Sequence, residues 1–373
     1  MIYFLKDIKQ SLRFWSLRMK ANMRSGGGAV PAMTEPVDFV VTWVDGNDPQ
    51  WKAEKEIHAR KNGLSVNASN NGEERYRDWD IFRYWFRAVE RYAPWVNNVY
   101  LVTCGHVPQW LNVNAPKLKL VSHEDYIPKE YLPTFNTNAI ELNFHRIKEL
   151  KEHFVYFNDD VFLMRPCRPE DFFGAGLPNH CAIAYPLQNP DNGGYYHFQF
   201  AAIGAINHVY GGRINDIMGE NPEKWFCRQY GSEMRFNKYA AQMDQLPGMY
   251  HSHLAAPIKK TTFEEVWETY PKLMSETSSH QFRRYEDVLL QIMSMWEMMN
   301  GKFNPVSEDH FGKLFSDPVR QIDDVLDAIG SEKYCSVCIN DSERVSHEEF
   351  LKTKKMLLER MEAVFPEKSS FER

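Results

Sequence analysis

The chain of 373 residues has no apolar run approaching the roughly 18 residues that span a bilayer, so no membrane-crossing helix is expected. No small-residue cleavage site follows its first residues, which excludes a secretory signal reading. Cysteine is scarce and scattered, at 104, 167, 181, 227, 335 and 338. The lone Cys335-Ser-Val-Cys338 lacks the second pair that a structural zinc site requires, and the spacing fits reduced thiols in a cytosolic enzyme. There is no basic excess. A net charge of −6 argues against nucleic acid as a partner. No internal repeat is visible.

What is present is a long chain, rich in aromatic residues, able to bury a sizeable core. His153-Phe-Val-Tyr-Phe-Asn-Asp-Asp-Val-Phe162 reads as a buried strand running straight into Asn158, Asp159 and Asp160. The carboxyl ends of strands are where open α/β sheets bind ligands. Two adjacent carboxylates there suit a hard cation that neutralises a diphosphate. The plain alternative is a turn or a helix cap, which the same residues also favour. Asp38-Phe-Val-Val-Thr-Trp-Val-Asp45, followed by Gly46-Asn-Asp-Pro49, repeats the pattern.

Further strands are expected at Val99–Thr103 and Lys117–Ser122, and helices over about 79–93 and 138–150. The second would place Glu141, His145 and Lys148 on one face. Alternating strands and helices predict an α/β fold, a Rossmann-like, mainly parallel sheet flanked by helices. A helical insertion is expected over roughly 195–245. Thr262-Phe-Glu-Glu265 reads as a capping box, a helix is expected over 285–299, and Ser346 with Glu349 opens a C-terminal helix within 346–373. Residues 60–74 read as a loop able to cover a site, and Asn67-Ala-Ser69 as a sequon without meaning inside a cell. Residues 1–24 read as an amphipathic basic helix with Leu5, Ile8, Leu12, Trp15 and Met19 on its apolar face, suited to an anionic membrane surface. Packing on the body or on a second subunit of a homo-oligomer is the other reading. Ser25-Gly-Gly-Gly28 is a linker, so residues 1–28 stand apart from a body over 37–345.

The sequence resembles the Stealth family of sugar-1-phosphate transferases. The resemblance lies in four ordered blocks: Asp38–Pro49; Arg75-Tyr-Arg-Asp78 through Tyr92-Ala-Pro-Trp95, Leu132-Pro-Thr-Phe-Asn136, Ala139-Ile-Glu141 and His145-Arg-Ile147 to Phe157–Asp160; His253 through His280-Gln-Phe-Arg283 to Glu286-Asp287; and Cys338-Ile-Asn-Asp341. It departs from the family in His253-Leu-Ala-Ala before Pro257, where relatives often have His-x-Pro, and in Ile81, where many carry Glu. The resemblance implies transfer of a hexose with its phosphate from a UDP-sugar to a saccharide hydroxyl, with UMP released, in capsular or cell-surface polysaccharide synthesis. It implies Asp159 and Asp160 as ligands of Mg2+ or Mn2+, and Asp45, Asp160, His253 and Arg283 as catalytic residues. His253 is the expected base, Asp160 its rival, and Arg283 the cation on the phosphoryl oxygens. Trp43, Asn136, Glu141, His145, Arg146, Asn158, Asp287 and Asp341 are expected to bind substrate. A cytoplasmic protein, held at the inner face of the membrane by residues 1–24, follows. Rival functions are a metal-dependent glycosyltransferase that releases UDP and a non-catalytic carbohydrate-binding protein.

Overall fold

A computed structural model of the chain describes residues 16–17, 19–21, 32–64, 77–188, 196–341 and 345–373. Most of the expected N-terminal helix, its Gly linker, most of the 60–74 loop with its sequon, Arg75 and Tyr76, and the Asn189–Gly194 loop lie outside the described residues. Of the first helix, Leu17 and Ala21 are buried while Met19 is exposed.

The strands are β1 Val37–Thr42, β2 Val99–Thr103, β3 Leu118–Ser122, β4 His153–Phe157, β5 Val161–Leu163, β6 Phe173–Gly174, β7 Leu177–His180, β8 Ala256–Lys259, β9 Asn304–Pro305, β10 Gly312–Phe315 and β11 Ser336–Ile339. The central sheet has the order β3-β2-β1-β4-β8; the first four are parallel and β8 is an antiparallel edge. The mainly parallel α/β fold expected from the sequence is therefore observed. β1, β2 and β4 are apolar on both faces because both faces are covered. Val40, Tyr100, Val102, Phe154 and Tyr156 join one core with the helices Tyr196–Tyr210, Lys260–Thr269 and Gln291–Met299. Phe39, Val41, Leu101, Val155 and Phe157 join the other with the helices Phe82–Tyr92 and His347–Val364. Each such side chain removed from water contributes roughly 1.5–3 kcal/mol.

The chain leaves β1 towards β2 on one side and reaches β4 on the other. Their carboxyl ends thus form a topological switch point, where a crevice opens. After β4 the chain turns through Asn158–Asp160 into β5, which pairs with β11, and β11 pairs with β10. The Ile339 amide donates to the Asp160 carbonyl at 2.9 Å, tying the acidic turn to this second sheet. A third small sheet joins β6, β7 and β9.

Several helices differ from the sequence expectation. The 138–150 helix breaks into Thr137–Glu141 and a 3-10 turn Phe144–Arg146. Asn143 Nδ2 donates to the Ala139 carbonyl at 2.8 Å and to Ser278 Oγ at 3.1 Å, so its side chain replaces the continuing helical bonds. Thr262 does not cap a helix: the helix starts at Lys260, and Thr262 Oγ1 donates to buried Glu297 Oε1 at 2.5 Å. The 285–299 helix begins only at Gln291. The 195–245 region is helical as expected, in short pieces. Ser346 and Glu349 form the expected capping box, but the helix ends at Val364 and the last residues fold back, with Phe371 against Phe86 at 5.2 Å.

Candidate active site

A cavity of about 670 Å3 opens along the carboxyl edge of the central sheet. At its β1–β2 end lie Trp43, Trp51, Cys104 and Phe135. Trp43 is stacked on Phe82 at 5.9 Å, and Trp51 meets Phe135 edge-on at 5.8 Å. In the middle lie Asp78, Glu141, Tyr156, Asn158, Asp159 and Asp160, with Asn340 and Asp341. Tyr156 pairs with Ala256 of antiparallel β8, so the segment entering β8 brings Tyr250, His251 and His253 to the opposite end. Arg283 reaches the same cavity from the loop after residue 279.

A polar chain runs from Glu141 to His253. The Tyr156 hydroxyl lies 2.9 Å from Glu141 Oε1, 2.6 Å from Asn158 Oδ1 and 3.1 Å from Thr42 Oγ1. A phenol has one proton, so it cannot donate to both Glu141 and Asn158. Its proton serves one of the two at a time, and burial raises the Glu141 pKa while the Tyr156 bond and the charge of Arg283 oppose that rise. Asn158 Nδ2 then faces His253 Nε2 at 3.3 Å. That bond leaves the Nε2 lone pair towards Asn158 and the proton on Nδ1. Asp160 Oδ2 is 3.8 Å from the same Nε2. Burial disfavours the imidazolium, but Asp160 and Glu141 outweigh it and draw the His253 pKa upward.

Asp159 makes no ion pair among the described side chains, and Asp160 has only His253, at 3.8 Å. Asp159 is reachable by solvent, yet burial in the cavity, then the charges of Asp160 and Asp78, push it up to about 7. Asp160 Oδ1 is buried with no hydrogen-bond partner. Asp78 Oδ1 accepts from the Asp80 amide at 2.7 Å, a tight turn that holds Asp80 at φ 57°. Like charges assembled with an orphaned oxygen fit a hard divalent cation such as Mg2+ or Mn2+, held by Asp159 and Asp160. Asp160, His253 and Cys338 bring ligand atoms within 4.8 Å of one another. Burial and Asp160 keep the Cys338 thiol protonated, however, so a soft-metal site is disfavoured.

Three family models match the chain, described as Stealth protein conserved region 1 over 35–62, conserved region 2 over 75–180 and conserved region 3 over 252–298. The capsular polysaccharide phosphotransferase WcwK of Streptococcus pneumoniae is 40% identical over 91% of this chain and 100% of its own length. The receptor polysaccharide phosphotransferase WefC of Streptococcus gordonii is 37% identical over 91% of this chain and 100% of its own. The exopolysaccharide phosphotransferase cps2G of Lactiplantibacillus plantarum is 33% identical over 90% and 96%. The chain belongs to the Stealth family. It is an enzyme, a transferase of the phosphotransferase kind. The three Stealth regions are distant in sequence and meet in one cavity: the first supplies Trp43, the second Asp78, Glu141 and Asn158–Asp160, the third His253 and Arg283.

Not every expected residue reaches that cavity. Asp45 of this Stealth protein does not line it; its Oδ1 accepts from the Asn47 amide at 2.9 Å and its own amide donates to His106 Nδ1 at 3.0 Å. Asn136 is buried as a helix cap, accepting from the Asn138 amide and donating to Asp287 Oδ2 at 2.8 Å. Asp287 also holds His280 Nδ1 at 2.5 Å and the Arg284 amide at 3.0 Å. Asn136, His280 and Asp287 therefore fix the loop that carries Arg283, without lining the cavity themselves. His145 stacks on Phe263 at 5.6 Å, and Arg146 lies over Trp267 at 4.7 Å with Nε bonded to Asn143, both outside the cavity because the helix breaks at Asn143. Asp341 does line it, in an ion pair with Arg77 at 2.8 Å. Among the described residues Arg283 makes no hydrogen bond or ion pair, so its guanidinium is available to a ligand. Two cavity residues, Asp78 and His251, were not among the residues expected from the sequence to form the site. Asp78 stands in the second block, and only the acidic turn it shares with Asp80 marks it.

Proposed function

We propose that the chain moves a hexose 1-phosphate, of the N-acetylhexosamine type, from a UDP-sugar to a saccharide hydroxyl in the assembly of a cell-surface polysaccharide. The observation that carries this reading is the meeting of the three carboxylates Asp78, Asp159 and Asp160 with an unpaired arginine and a histidine at the switch point of the sheet. Nucleophilic displacement at phosphorus asks for charge neutralisation and positioning rather than for a covalent intermediate. The relatives named above are phosphotransferases of capsular, receptor and exopolysaccharide assembly.

In this reading the uridine stacks at the Trp43, Trp51 and Phe135 end, and the diphosphate lies across the Asp78–Asp159–Asp160 region. A divalent cation on Asp159 and Asp160 would offset the diphosphate charge when bound. Arg283 takes two oxygens of the transferred phosphoryl group with its planar fork. The acceptor hydroxyl oxygen forms a bond to the β-phosphorus, and the bond from that phosphorus to the bridging oxygen breaks. UMP leaves with the bridging oxygen. The acceptor hydroxyl takes the place of the Asn158 amide on the single Nε2 lone pair of His253, and its proton passes there. Glu141 and Tyr156 hold Asn158 in place.

All six cysteines are free thiols, which suits a reducing compartment, and among the described residues no helix is long and apolar enough to cross a membrane. We place the enzyme at the cytoplasmic side, with residues 1–24 as its contact to anionic lipid. The test is a panel of nucleotide sugars with and without Mg2+ or Mn2+, scored by chromatography of the nucleotide. UMP supports the proposal. UDP assigns attack to the sugar carbon, and no nucleotide release assigns a binding role.

A further inference from the structure

Beyond the reacting groups, the β8 end of the cavity continues into a surface built from aromatic rings and hydrogen-bond acceptors. Tyr250 and Glu308 line the cavity itself. Tyr185 lies beside Tyr250 at 6.0 Å between ring centroids, and Phe236 lies beside Tyr185 at 4.5 Å, both tilted by about 50° and all three rings half-buried. The arrangement is fixed by backbone. The Tyr250 amide donates to the Ile183 carbonyl at 2.7 Å, and the Leu187 amide to the Pro247 carbonyl at 3.2 Å. Gly248 lies at that crossing, where a Cβ would meet the Tyr185 carbonyl oxygen at 2.1 Å, so only glycine lets the two segments approach.

Glu233 is paired with Arg235 at 3.4 Å, whose guanidinium lies over the Phe236 ring at 4.8 Å, whereas Glu308 and Gln291 keep acceptor oxygens to offer. The Tyr185 hydroxyl lies 2.7 Å from Glu233 Oε2 and 3.2 Å from Glu308 Oε2, and its single proton serves one carboxylate at a time. Gln291 is only 5% exposed and lines the cavity; its Nε2 donates to the Tyr250 carbonyl at 3.3 Å, while its Oε1 is buried with no partner. An orphaned acceptor in such a place is costly unless a ligand supplies a donor.

We infer that Tyr185, Phe236, Tyr250, Glu308 and Gln291 form the binding site for the acceptor glycan, seating its neutral sugar rings on the aromatic faces and its hydroxyls on Glu308 and Gln291. The inference rests on the proposed transfer to a saccharide hydroxyl. A polyol brings many O–H donors and apolar ring faces, which is what this surface lacks and offers in turn. The negative charge of Glu308, which has no ion pair among the described residues, turns away nucleotide phosphates and separates this end from the donor end at Trp43. The site lies on the β8 side of His253, so a glycan bound there directs its terminal hydroxyl towards the base.

The test uses the surface polysaccharide of the encoding strain, cut at its phosphodiesters with hydrofluoric acid and fractionated by length. A polysaccharide without phosphodiesters overturns the proposed reaction, whatever the binding results. Titration calorimetry of the neutral fragments against the full chain then tests the site. Affinity is expected to rise with fragment length, to fall at least tenfold in Tyr185→Ala and at least threefold in Glu308→Gln. Glu308 is exposed, so its variant guards against a folding defect. Fragments that bind both variants as tightly as the wild type, or that do not bind the wild type, overturn the inference. So does a loss confined to UDP affinity, which would assign these rings to the donor.

Discussion

Two stretches of this chain read alike, and the structure treats them differently. Phe39–Trp43 and Phe154–Phe157 are apolar segments ending at the same edge of the sheet, and each delivers two carboxylates, Asp45 with Asp48 and Asp159 with Asp160. After β1 both acids are satisfied by backbone. Asp48 caps the Pro49–Lys61 helix, with Oδ1 accepting from the Trp51 amide at 2.7 Å, and Asp45 closes a turn on Asn47. After β4 the pair is held in the cavity against each other and Asp78, with Asp159 pushed up to about 7, first by burial, and Asp160 Oδ1 orphaned. A carboxylate at a strand end whose lone pairs amides consume is structural, and one held in a cavity against other carboxylates is a candidate for the site.

Substitutions sharpen this contrast. Asp160→Asn keeps the shape and removes the charge; turnover is expected to fall about 10^3-fold with loss of metal-dependent donor binding, read by steady-state kinetics and calorimetry with UDP-sugar. Unchanged donor binding would remove Asp160 from the site. Arg283→Lys keeps the charge and loses the planar fork, for an expected loss of about 10^2-fold in turnover. Full activity there would mean that charge alone suffices. On the other side of the comparison, Asp48→Ala should cost about 1 kcal/mol of stability in urea unfolding, the usual worth of such a cap, while kcat changes less than threefold. A larger kcat effect would break the division.

A third carboxylate gives the smallest and most selective effect. Glu372 pairs with buried Arg87 through Nε–Oε1 at 2.8 Å and Nη2–Oε2 at 2.9 Å. Burial opposes its charge, but Arg87 and the Ser369 amide outweigh that and hold it below its usual 4.5. The folded state therefore binds this proton less readily than the unfolded chain. Its stabilisation is complete above about pH 4.5 and is lost as pH falls through the lowered folded value. The difference in urea midpoint between wild type and Glu372→Gln should shrink over that fall, and a constant difference would show that Arg87 does not set the titration.

Much of the fold was legible. The apolar runs of β1, β2 and β4 and their alternation with helices named a parallel sheet, because burial on both faces erases the usual period of two. The Ser346 and Glu349 capping box was legible because both partners are local. The 138–150 helix was not, because Ser278, more than a hundred residues away, helps Asn143 to end it. Thr262 misled for the same reason, since Glu297 claims its hydroxyl. In the site, strand and turn alone left Asp159 and Asp160 between a cation site and a cap, and the family resemblance assigned them to the site along with His253 and Arg283. The aromatic surface from Tyr250 to Phe236 exists only through the crossing at Gly248, which no local pattern records.

The central claim is that the acids at the β4 edge make phosphorus the point of attack. It is tested most directly with an acceptor saccharide whose attacking hydroxyl carries 18O, by 31P NMR of the product. The account predicts a phosphodiester resonance shifted by the heavy oxygen bonded to phosphorus. A product without phosphorus, with the label bonded only to carbon, would contradict it.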